Sequence, residues 1–186
     1  EPVTESTKKA ARCFYALSQN RADSKRYPAI DTLDSYSKYL EYPEFIEYAK
    51  DKLDENWVDL VNEARNVLVK GKETEEQINI LGDDSVPIDY HIDLWKSEFI
   101  DFIILQQDAF DKIDATSSLE RQEYMLKKVI NVTRSEFKFD GFEEVAIYFK
   151  RLINIFKQMN YAIFKSEEFK KAEEEANMVL EERLIK

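Results

Sequence analysis

Aromatic rings, rather than nucleophiles or metal ligands, are the groups in this sequence whose setting could do chemistry. Tyr27 precedes Pro28, and a proline drives the residue before it into extended backbone, so the Tyr27 side chain is held rather than free. Phe110 follows Gln106-Gln107-Asp108-Ala109 and falls in a predicted loop over 108–118. A ring held at a surface can stack on a flat base, each stack contributing about 1–3 kcal/mol. The residues alone leave a plainer alternative open: both rings could be core aromatics among the 24 Phe, Tyr and Trp.

Other chemistries are poorly supplied. Gly71-Lys72 is the one Gly-Lys pair, and a phosphate-binding loop needs a glycine five residues earlier and Ser or Thr after the lysine. Those positions hold Asn66 and Glu73. No catalytic residue and no metal site is therefore predicted. Cys13, the single cysteine, stands beside Phe14 in a helical pattern and reads as a packed thiol. His91 is solitary and reads as a surface residue rather than a ligand, and Asp111 and Asp114 lack EF-hand spacing. Asn131-Val132-Thr133 matches a glycosylation sequon, which a cytoplasmic chain would never present to the machinery.

The 186 residues carry 27 basic and 38 acidic side chains, a formal charge of −11 that argues against nucleic acid as the partner. Three Gly and four Pro, with 35% charged and 44% hydrophobic residues, indicate long helices with short connections. The longest apolar run, Phe102-Ile103-Ile104-Leu105, is too short to span a bilayer, and no signal peptide is read. A chain that opens Glu1-Pro2-Val3-Thr4 without an initiator Met reads as the interior of something longer.

Periodicity places a first helix over about Val3–Leu17, a polar break at Asn20–Arg26 and a short extended segment at Tyr27–Ile30. A boundary falls at Pro43, dividing the chain into 1–42 and 43–186. Beyond it, helices are predicted at Phe45–Leu53, Trp57–Val69, Thr74–Leu81, Ile88–Gln106, Leu119–Thr133, Phe142–Phe164 and Glu167–Ile185. Thr74 and Gln77 have capping-box spacing, and Gly82 suits a helix C-terminus. The fold class is all-α, an antiparallel helical bundle with the short extended segment near the N-terminus.

Three strings carry a family resemblance. Glu1-Pro2-Val3-Thr4 and, after it, Tyr27-Pro28-Ala29-Ile30-Asp31 with Ser35-Tyr36-Ser37 resemble the catalytic A subunit of V-type and archaeal A-type rotary ATPases. Asp101-Phe102-Ile103-Ile104-Leu105-Gln106-Gln107-Asp108-Ala109-Phe110, with Ile113-Asp114 and Glu120-Arg121-Gln122-Glu123-Tyr124, resembles the same subunit. Ile80-Leu81-Gly82-Asp83-Asp84-Ser85-Val86-Pro87 resembles the loop by which rotary catalytic subunits push on the central shaft. The match is specific over 1–42 and 78–128. It implies a C-terminal part of that A subunit: residues 1–42 at the edge of its nucleotide-binding domain, residues 43–186 as its helical domain.

The same resemblance implies an adenine site at Tyr27 and Pro28 on one side and Phe110 on the other, with Gln107 beside them. It implies a rotor-contact loop at Gly82, Asp83, Asp84, Ser85, Val86 and Pro87. The intact subunit would use ATP or ADP and Mg²⁺ for ion-coupled synthesis or hydrolysis, while a piece lacking the phosphate loop would be inactive. Partners would be the B subunit and the central stalk, at the cytoplasmic face of a membrane without insertion into it. Two positions depart from the family: Asp108 replaces an Asn, and Thr116 replaces a second aromatic. The alternative from another class is a non-enzymatic helical interaction module that presents an apolar groove.

Overall fold

The computed structural model describes residues 6–7 and 10–185. The expected helix over Val3–Leu17 lies partly outside the described residues, and its end is not helical. Cys13–Leu17 forms strand β1, paired antiparallel with β2, Ile30–Ser37. Cys-Phe-Tyr-Ala-Leu fits a period of two as well as a helical spacing. Pairing with the Thr-, Leu- and Tyr-bearing β2 decides between them. Phe14 and Ala16 turn inward while Cys13, Tyr15 and Leu17 face out, so Cys13 is an exposed thiol rather than a packed one. The register slips between Phe14 and Ala16, where Ala16 N–H donates to Ser35 Oγ (3.0 Å) instead of continuing the ladder.

The polar break contains a short helix, α1 (Gln19–Asp23), capped by Ser18, whose Oγ accepts from Arg21 N–H at 3.3 Å. After β2, Pro43 occupies the first turn of α2 (Pro43–Lys52), where its missing N–H costs nothing.

Helix α3 (Trp57–Leu81) runs unbroken where two helices were expected. Gly71 does not interrupt it. A Cβ there would lie 2.1 Å from Ser97 Cβ, so the glycine lets α3 approach α4 (Ile88–Ile100) closely. Thr74 is accordingly no cap: it lies buried mid-helix and donates its hydroxyl to Lys70 O at 2.7 Å. Gly82 ends α3 with φ 88° and ψ 151°, a conformation open essentially to glycine.

α4 does not continue as regular helix to Gln106. It passes into a π-helical turn over Asp101–Leu105, closed by Gln106 N–H to Asp101 O at 2.8 Å. Helices α5 (Leu119–Arg134), α6 (Phe142–Tyr161) and α7 (Glu167–Glu181) complete the bundle, seven α-helices among the described residues. The α6 stripe of Val145, Phe149, Leu152 and Phe156 is fully buried against Phe99, Val129, Ile130 and Phe169, each such side chain contributing about 1.5–3 kcal/mol. Phe99 and Phe156 meet edge to face at 4.8 Å.

His91 is buried, not a surface residue. It stacks on Phe142 (4.9 Å between centroids), and its Nε2–H donates to Asp83 O at 3.1 Å. No helix among the described residues is long and apolar enough to cross a membrane.

Candidate functional site

Lys25, at φ 56°, turns the chain out of α1 and presents Arg26, Tyr27 and Pro28 toward the C-terminal end of α4. The Tyr27–Pro28 peptide is cis. Three ties fix this segment. Arg26 N–H donates to Arg21 O (2.8 Å), Arg21 Nε–H to Pro28 O (3.3 Å), and Gln107 N–H to Tyr27 O (2.9 Å). The last of these joins two stretches about eighty residues apart at the positions that carry the family strings.

The loop after the π-turn is shaped by its aspartates. Asp108 Oδ1 accepts from Phe110 N–H (2.9 Å), and Asp111 Oδ1 accepts from Ile113 and Asp114 N–H (both 2.8 Å). Asp114 Oδ2 accepts from Asp108 N–H at 2.6 Å, while the Gln107 amide donates to Asp114 O at 2.7 Å. Burial pushes the Asp114 carboxyl above its ordinary range against that hydrogen bond. The Asp108 side chain thus caps the turn that carries Phe110.

Tyr27, Gln107 and Phe110 line one cavity of about 460 Å³, within the range of small-molecule sites. Phe110 is 99% exposed and Tyr27 53%, which removes the reading of either ring as a core aromatic. Pro28 does not line this cavity. It borders a neighbouring, more apolar one of about 730 Å³ beside Trp57 and Val61, and Thr116 lies there too. Gln106, Gln107, Asp114 and Asn160 form the partition between the two.

Several lining residues escaped the sequence reading. Lys157, Asn160 and Tyr161 come from the last turns of α6, and Phe102 from the π-turn. Lys157 Nζ sits 4.5 Å from the Phe102 ring centroid, and burial followed by repulsion from Arg26 pulls its pKa down. Burial, then the nearby Asp108 and Asp114, pushes the Tyr161 phenol up. Gln106 Oε1 is a buried acceptor with no hydrogen-bond partner among the described residues. Gln106 stood next to a residue already singled out; the α6 residues carried no local signal.

The loop Gly82–Pro87 lies at the opposite end of α4, about 20 Å away at 1.5 Å per residue. It is exposed apart from half-buried Val86, and Asp83, Asp84 and Asp89 gather at the N-terminus of α4, where the helix dipole favours negative charge. Among the described residues no three His, Cys, Asp or Glu side chains converge as a metal site.

Residues 46–139 match the family described as the C-terminal domain of V and A type ATP synthase. The chain is similar to the V-type ATP synthase alpha chain of Borrelia duttonii (strain Ly), 39% identical over 176 residues, covering 93% of this chain and 28% of that protein. It is 34% identical over 174 residues to the V-type ATP synthase alpha chain of Treponema denticola, covering 94% and 27%. It thus spans less than a third of the length of the curated relatives it matches. The solved ATP synthase subunit NeqB from Nanoarcheaum equitans shares the fold, at a TM-score of 0.51 and 20% identity over 73% of this chain and 31% of that one. With a helical bundle matched across half its length by one family and most of its length by alpha chains, the chain belongs to the family of V- and A-type ATP synthase C-terminal domains.

Proposed function

We propose that this chain supplies the base-facing wall of a nucleotide site, and a rotor-facing lever, to the catalytic A subunit of a V/A-type ATP synthase or ATPase. The observation that carries the reading is the cavity shared by Tyr27 and Phe110, two exposed rings brought together by the Gln107–Tyr27 backbone bond. Exposed aromatics on fixed backbone lose little on their own and gain when a flat base covers them. Adenine, sandwiched or flanked by these rings, is the ligand that fits both this surface and the family.

Residues 1–42 then form the edge of the nucleotide-binding domain, and residues 43–186 the helical domain. The intact subunit makes or hydrolyses ATP with coupled ion transport, together with a B subunit and a central stalk, at the cytoplasmic face of the membrane. Mg²⁺ supplies charge neutralisation at the phosphates in such chemistry. This chain contributes no ligand to it, and by itself is inactive. α4 serves as the lever, a rigid rod with the nucleotide wall at one end and the acidic Gly82–Pro87 loop at the other. Closure on nucleotide at one end moves the loop against the shaft at the other.

The test is nucleotide affinity in the intact subunit. Tyr27→Ala is expected to weaken ATP binding roughly tenfold to a hundredfold, the loss of one stack. Phe110→Ser is expected to weaken it with the unfolding midpoint unchanged, because that ring packs against nothing. Wild-type affinity in either variant ends the adenine reading.

A further inference from the structure

The ion-pair cluster behind Tyr27 has no part in the adenine reading, yet it encloses that residue from both sides. Asp101, a buried carboxylate 6% exposed, accepts from Arg21 through Oδ1 and from Arg26 through Oδ2 (3.2 Å). Arg26 precedes Tyr27. Arg21 reaches past it, giving its Nε–H to Pro28 O at 3.3 Å. Glu98, one turn before Asp101 on α4, takes the Arg26 guanidinium in a two-pronged pair at 3.0 and 2.7 Å. Arg26 also lies 4.5 Å from the centroid of Phe102, a lining residue of the cavity.

The backbone of the same residue serves the other wall. Asp101 O accepts the Gln106 N–H that closes the π-turn, and this bond sets where Gln107 and the Phe110 loop leave the helix. Asp101 thus holds the Tyr27 side with its carboxylate and the Phe110 side with its carbonyl.

We propose that Asp101 is a positioning residue for base recognition. By anchoring Arg21 and Arg26 to the π-turn, it fixes the Tyr27 ring at the separation from Phe110 that a purine base requires. The proposal rests on the adenine reading above. It adds that recognition of the base, as distinct from the phosphates, depends on a charge cluster that never touches nucleotide. Asp101→Asn keeps the shape and the backbone carbonyl but removes the anion that two guanidiniums share. Arg21 then loses its carboxylate and Arg26 keeps only Glu98, which loosens the Tyr27 side while Gln107 keeps its backbone tie.

The experiment compares ADP with inorganic tripolyphosphate as competing ligands of the intact, assembled subunit, in wild type, Asp101→Asn, Tyr27→Ala and the double variant. Asp101→Asn is expected to weaken ADP about fivefold to tenfold, part of one stack, and to leave tripolyphosphate unchanged. In the Tyr27→Ala background it is expected to add nothing, since no ring remains to be placed. Equal weakening of ADP and tripolyphosphate overturns the proposal, because Asp101 would then support the fold as a whole. Unchanged ADP affinity in Asp101→Asn, with Tyr27→Ala weakened, overturns it while sparing the adenine reading. Wild-type affinity in Tyr27→Ala sinks that reading and the proposal together. Should Asp101→Asn fail to assemble, Arg26→Gln at the half-exposed end of the cluster carries the same expectation of a base-selective loss, and its absence refutes the proposal.

Discussion

Gly71→Ala separates two roles a helix-interior glycine can have. If Gly71 were merely tolerated within α3, alanine would stabilise the chain by about 0.5–1 kcal/mol through helix propensity. The geometry at α4 reverses that sign. The new Cβ would stand 2.1 Å from Ser97 Cβ and 2.3 Å from its Oγ. Ordinary carbon contact is about 3.5–4.0 Å, so the helices must part locally by roughly 1.5 Å. The colliding atom is Ser97 Cβ, the root of its side chain, so rotating the hydroxyl gives no relief. Overpacking of this kind costs about 1–3 kcal/mol, and a gap of 0.5–1 Å forfeits a quarter to a half of each neighbouring contact. Subtracting the propensity gain leaves a net loss of up to about 2.5 kcal/mol, or as much as roughly 5–10 °C in Tm for a domain of this size. Urea unfolding followed by circular dichroism reads it as a lower midpoint at unchanged slope. Ser97→Gly costs a few tenths of a kcal/mol alone, yet restores most of the loss in the Gly71→Ala background. A Gly71→Ala midpoint at or above wild type, or a double variant no better than the single, refutes the close-approach argument.

Two further outcomes are expected. Gly82→Ala meets no atom within 4 Å, so its cost is purely conformational: φ 88° with ψ 151° strains any L side chain by about 1–3 kcal/mol, measurable as a lower melting temperature. The Arg134–Glu63 pair joins α5 to α3 through bonds of 2.7 and 2.6 Å, and the Arg134 hydrogen bonds pull the Glu63 carboxyl below its usual value of 4.5 against a small burial effect. A depressed folded pKa contributes stability above the unfolded value that disappears as pH falls through the folded one. The urea midpoint difference between wild type and Arg134→Gln should therefore be present at neutral pH, shrink below about pH 4.5 and shrink with added salt. A difference that is constant across that range refutes the assignment.

The bundle was legible where one periodicity had no rival. The α6 stripe Val145, Phe149, Leu152 and Phe156 admits only a helix, and all four are buried. Cys13–Leu17 admitted two periods, and its strand is settled by partners from Ile30 to Ser37, on the far side of α1 and outside the segment's own window. Two helices were expected where α3 runs through Gly71; the reason for a glycine there lies on another helix, at Ser97. His91 looked like a surface residue because its partners, Asp83 O and the Phe142 ring, come from a turn and a distant helix. The rings of the candidate site were found through strings that resemble a family, not through any property of Tyr27 or Phe110. The α6 contribution was invisible, because Lys157, Asn160 and Tyr161 sit past the end of the apolar stripe with nothing to distinguish them from capping residues.

The cavity wall is stiff where it needs to be. A π-turn frees a carbonyl from the regular helical ladder, and here Asn160 Nδ2–H donates to Ile103 O at 2.9 Å, joining α6 to the turn. Buried Arg121 of α5 then donates to the carbonyls of Met159 (3.1 Å) and Asn160 at the end of α6, and burial, set against Asp114 and Asp111, lowers its pKa while leaving it charged. Three elements are thereby pinned together by polar bonds at the floor of a site whose rims are exposed rings. Apolar contact alone would let α6 slide along the turn, whereas these bonds are directional and lose their strength within a fraction of an ångström. On the proposed adenine reading, a base resting on Tyr27 and Phe110 would press against a surface that these bonds tie to the end of α4.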